Sequence, residues 1–124
     1  MTGKSTVVYP NEPSESDIQF HVMYRLRNMG LDVHAEVFSR KKLGCRLDLV
    51  VFVDKDARLI IECKKKKAKS IHPKYRQREI TRCRKQSEKY ETLGLPIDWI
   101  IGMKEANEYI ANFKARHPDL FIAM

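Results

Sequence analysis

Apolar residues recur along this chain at two periods, and the switches between them mark out its elements. Residues 1–13 carry two prolines and no period, which predicts a flexible N-terminal arm. Ile18, Val22, Leu26 and Met29 then follow at helical spacing. Ser14 or Ser16 can cap that helix, acids fill its first turn, and Gly30 stops it. "DVHAEVFS" alternates as a first strand, and "RKKLGC" is a basic, turn-rich connection. "RLDLVVFV" and "RLIIECK" are β-branched apolar runs of strand length, separated by the turn-like "DKDA", and together predict a hairpin. From His72 to about Thr92 a long polar helix is expected, with Pro73 in its first turn. Ile80, Cys83, Ser87 and Tyr90 form its one narrow stripe, with Gln86 beside it, and Gly94 and Pro96 end it. "IDWIIGM" predicts a fourth strand, in which Trp99 is read as core. "KEANEYIANFKARH" predicts an amphipathic helix ending at Pro118, and "DLFIAM" a short strand or docked tail.

The predicted order is therefore α-β-β-β-α-β-α. A hairpin, a helix and then an apolar strand imply an α/β fold: a mixed four-stranded sheet flanked by helices, with an extra C-terminal helix. A chain of 124 residues, 43% of them hydrophobic, is large enough for one core, so 14–124 is expected to form a single domain. No apolar run approaches the roughly 20 residues of a bilayer span, so no membrane partner is expected. "MTGKSTVVYPNEPSES" has no apolar signal-type core. Cys45, Cys63 and Cys83 are odd in number and form no C-x-x-C pair. They read as reduced thiols of a cytoplasmic protein, with neither a zinc site nor a disulfide framework.

Charge changes the picture once it is located. Residues 64–89 hold 12 Lys and Arg against two acids, a net of +10, while the rest of the chain sums to −2. Basicity confined to one segment is either a solvated helix face or the footprint of a phosphate backbone.

The chemistry lies where the apolar runs are interrupted. Glu62 breaks "LII-E-C" and Asp48 breaks "RL-D-LVVFV". Strand side chains alternate, so Asp48, Val50 and Phe52 share one face, and Ile60, Glu62 and Lys64 another. A three-residue hairpin loop puts Asp48, Glu62 and Lys64 on the same side of the sheet; a loop of two or four breaks that parity. Two carboxylates brought that close cannot both stay ionised cheaply without a cation between them. Mg²⁺ fits, since it typically takes one or two carboxylates plus waters and substrate phosphate, and a bound metal acidifies water and offsets developing charge. Lys64 would orient or deprotonate that water and stabilise the transition state. The bland alternative is a structural salt bridge of Lys64 with Asp48 or Glu62 on an edge strand.

"RLDLVV" followed by "LIIECK" resembles the PD-(D/E)XK nuclease superfamily, whose restriction-endonuclease-like core runs α-β-β-β-α-β. The likeness covers roughly residues 14–103, with Leu47 where the family name has proline. It implies Asp48, Glu62 and the backbone carbonyl of Cys63 as metal ligands and Lys64 as the catalytic lysine. It also implies Mg²⁺, with Mn²⁺ able to substitute, and a metal-activated water that hydrolyses DNA. Many relatives add a glutamate from the first helix; Glu15 is the best match and Gln19 the runner-up, and each also reads as a cap or surface residue. Gln86 and Tyr90 in "QSEKY" resemble the Q-x-x-x-Y motif of RecB-type exonucleases, which flanks the site and helps to hold DNA. A half-buried Tyr packed beside a polar Gln is the alternative.

On this reading Lys65, Lys66, Lys67, Lys69, Lys74, Arg76, Arg78, Arg82, Arg84, Lys85 and Lys89 run along phosphates. Such contacts position a substrate without reading its sequence, so little sequence preference is expected. His72 is a helix-start surface residue or a general base, and Glu36 faces solvent or supports the site. The expected partner is DNA, with RNA left open. A chain this short leaves specificity to DNA structure, to a homodimer or to a partner protein. A non-catalytic nucleic-acid-binding module, or a subunit active only within a larger complex, are the competing readings.

Overall fold

Ser14 opens the first helix, α1 (Glu15–Asn28). Its hydroxyl accepts the Asp17 N–H at 3.1 Å, and the Asp17 carboxylate accepts the Ser14 N–H at 2.9 Å, a closed capping box. The computed structural model describes residues 7, 12–38, 46–65, 88 and 93–122. The arm expected over 1–13, apart from Val7, Glu12 and Pro13, and the helix expected over 72–92, apart from the exposed, helical Glu88, lie outside the described residues. Gly30 follows α1 at φ 94°, a left-handed conformation that costs glycine little.

Four strands form one sheet in the order β1 (Asp32–Phe38), β2 (Arg46–Val53), β3 (Asp56–Lys64) and β4 (Ile97–Ile101). The first two pairings are antiparallel and the third is parallel, so the sheet is mixed, as expected. Gly102, at φ 85°, turns the chain from β4 directly into α2 (Gly102–Arg116). "DLFI" forms a single helical turn, α3 (Asp119–Ile122), rather than a strand, and buries Leu120. Among the described residues, no helix is long and apolar enough to cross a membrane.

Alternation gives the sheet two buried faces. Leu49, Val51, Leu59, Ile61, Cys63 and Ile100 pack with Ile18, Val22 and Leu26 of α1 and with Ile110 and Phe113 of α2. Val50 and Ile60 face the other way, into a smaller cluster with Leu47 and the partly buried Leu93, Leu95 and Ile97. Each apolar side chain withdrawn fully from water contributes about 1.5–3 kcal/mol, so a strand apolar on both faces is held from both sides.

The hairpin differs from its expected form in a way that positions the site. Its loop holds two residues, Asp54 and Lys55, at φ 51° and 69°, the paired left-handed conformations of a type I′ turn. Val53 faces Asp56 and Phe52 faces Ala57, but Val51 then faces Leu59, so Arg58 is an extra residue on β3. This bulge shifts the register by one and restores the parity that a two-residue loop alone would have broken.

Candidate active site

The β2–β3 ladder continues through Val50↔Ile60 and Leu49↔Ile61. At the next position side chains take over the hydrogen bonding. The Asp48 N–H donates to Glu62 Oε1 at 3.1 Å, and the Cys63 N–H donates to Asp48 Oδ2 at 2.9 Å. Each carboxylate thus staples the opposing strand, fixing both acids on backbone of the sheet. Lys64 follows Glu62 on the same face at the end of β3.

Glu62 is 2% exposed, Asp48 and Lys64 are half-buried, and Lys65 is exposed. Burial, and next the charge of Asp48, push the Glu62 carboxyl up to about 8. The Asp48 N–H bond and the Lys64 ammonium pull it back only in part. A buried acid beside a second acid needs a proton or a cation at neutral pH. The chemistry of this pair therefore fits a hard divalent ion, which oxygen ligands of this kind bind together with water.

Glu15, on the first turn of α1, reaches the same strand end, where its Oε1 accepts the Lys65 N–H in a long bond of 3.4 Å. Gln19, one turn on, is buried. Among the described residues no three His, Cys, Asp or Glu side chains are grouped to hold a metal, so any cation here would draw on the Asp48–Glu62 pair. The Cys63 side chain turns into the larger core, where burial first and the nearby acids next push its thiol far above the usual range. It is no nucleophile. Glu36 is exposed and lies 3.9 Å from Arg46, at φ 56°, between residues paired with Leu49 and Leu47 and so beside Asp48. Lys66, Lys67, Lys69, His72, Lys74, Arg76, Arg78, Arg82, Arg84, Lys85, Gln86, Lys89 and Tyr90 lie outside the described residues.

Two residues stand differently from their reading in the sequence. Trp99 is half-buried on the site face, opposite Glu62 in the parallel register, with Lys64 Nζ 5.9 Å from its ring centroid. Asp98, which sequence reasoning passed over, is a third buried acid. It accepts the Tyr109 hydroxyl at 2.6 Å, His117 Nε2 at 2.6 Å and an Arg116 guanidinium N–H at 2.9 Å. The signal for it was there: Asp98 interrupts "I-D-WII" as Glu62 interrupts "LII-E-C".

Comparison of the chain with models of protein families, with curated proteins and with solved structures found no match.

Proposed function

We propose that the protein is a Mg²⁺-dependent nuclease, Mn²⁺ substituting, that hydrolyses phosphodiester bonds of DNA on a restriction-endonuclease-like, PD-(D/E)XK-type fold. One observation carries the reading: Asp48 and Glu62 are stapled face to face across β2 and β3, and Lys64 stands next along the same face. The +10 segment starts at that lysine, so a phosphate backbone drawn to it would pass the acids.

Asp48 and Glu62, with the Cys63 carbonyl, would hold the ion, and Glu15, which reaches the same strand end, would support it through water. When bound, Mg²⁺ supplies the charge that the paired acids lack and acidifies an attacking water. The protein's own contribution is placement. The staples hold both carboxylates before substrate arrives, so no reorganisation accompanies the reaction. Lys64 donates hydrogen bonds and positive charge to the scissile phosphate. The basic residues from Lys65 to Lys89 hold the strand through its phosphates and leave its bases unread.

The test is incubation of labelled single-stranded, nicked and duplex DNA with Mg²⁺ or Mn²⁺, comparing the wild type with Lys64→Ala. Cleavage lost in the variant while binding persists supports the reading. Binding with no metal-dependent cutting of any substrate favours a non-catalytic module of the same fold.

A further inference from the structure

Parallel pairing sets β4 beside the site strand, with Trp99 opposite Glu62 and Ile101 opposite Lys64. Ile97 packs with Val50 and Ile60, so Trp99, two residues further on, shares the face of Glu62 and Lys64. The Lys64 Nζ lies 5.9 Å from the indole centroid. An ammonium within about 6 Å of an aromatic face is attracted by the ring quadrupole, and indole attracts it best. A lysine left to itself is a point charge on a flexible four-carbon stem. A catalytic group displaced by about 1 Å can lose ~10²-fold in rate.

We propose that Trp99 is a positioning residue: its indole face holds the Lys64 ammonium beside the Asp48–Glu62 pair. The consequence for catalysis rests on the nuclease reading of Lys64, whereas the contact itself does not. Its physical logic is a division of labour between two neighbours of β3. β2 supplies the negative pair, and β4 supplies an uncharged surface that attracts a cation without forming a salt bridge that would neutralise it. A carboxylate in place of Trp99 would hold Lys64 more tightly but would add a third negative charge to the acids and compete with phosphate for the ammonium.

Trp99 is the only tryptophan of the chain, so its substitution removes the only indole. In NMR spectra of protein carrying isotope-labelled lysine, ring current from Trp99 is expected to move the Lys64 ε-methylene signal upfield of the other lysines. Lys64→Arg deletes that signal and so assigns it. Trp99→Leu returns it to the common position, while Trp99→Phe keeps part of the shift. In cleavage assays Trp99→Leu should lower kcat about 10-fold with KM for an oligonucleotide unchanged, and Trp99→Phe should restore most of the loss. No shifted lysine in the wild type, full kcat in Trp99→Leu, or equal losses in the Leu and Phe variants would overturn the proposal. A protein that shows the shifted lysine and its loss in Trp99→Leu but cuts no DNA supports the contact and defeats only the nuclease reading.

Discussion

Glu62 and Asp98 are buried acids on neighbouring strands of one sheet, and they are compensated in opposite ways. Asp98 is surrounded by donors: a hydroxyl, an imidazole and a guanidinium, all from α2 and its end. Its charge is answered within the protein, and the bonds tie the C-terminal end of α2 to β4. Burial and the adjoining carboxylate push the Tyr109 hydroxyl above its usual range, so it stays a donor. Glu62 instead meets a backbone N–H and a second acid, and the Lys64 ammonium answers only part of that charge. A satisfied buried charge is architecture, while one left facing another of its own sign calls for a proton or a cation.

The contrast can be broken at either end. The largest effect is expected from Lys64→Ala or Glu62→Gln, each lowering metal-dependent cleavage by roughly 10³-fold while DNA binding, read by anisotropy, persists. Asp98→Ala should do the reverse. It strands three donors and should cost about 3–5 kcal/mol of stability in denaturant melts, with Asp98→Asn milder. Cleavage per folded molecule should be retained; a selective loss of kcat in a well-folded Asp98 variant would erase the distinction.

Acid–base behaviour sharpens the same contrast. The Glu62 carboxyl titrates near 8 in the folded protein, against 4.5 ordinarily. Between those values the unfolded chain has released a proton that the folded chain keeps. Metal-free stability from this group is thus complete below about 4.5, declines as pH rises, and is gone above about 8. The decline is on the order of a few kcal/mol, seen as a falling melting temperature in chelator. Glu62→Gln should flatten it, and Mg²⁺ should raise the melting temperature most at the alkaline end. A flat wild-type profile would mean that neither burial nor the second acid perturbs Glu62.

The smallest effect is expected from deleting Arg58. The pairs on both sides of the bulge, Phe52↔Ala57 and Val51↔Leu59, then run on without interruption, and Asp48 still faces Glu62. Cleavage should stay within a few-fold and stability within about 1 kcal/mol. An inactive deletion would show that the bulge does more than set register.

Local information was enough for α1, α2 and the four strands. Ser14 and Gly30 bracket α1 because capping and left-handed turns are chemistry of adjacent residues, and the alternation of "RLDLVVFV" and "RLIIECK" reports burial on each face. Charge interrupting those runs was equally plain, so Asp48, Glu62 and Lys64 could be singled out before any contact was known. Which side of the sheet each acid occupies was not local. It depended on a two-residue turn and one extra residue, Arg58, whose offsetting shifts no composition announces, because parity is set by pairing between strands. The same holds for Trp99, brought beside Lys64 by a parallel pairing between strands more than thirty residues apart, and for Asp98, whose three donors arrive with α2. The sequence determined where charge enters the apolar strands; only packing decided which of those charges found a partner.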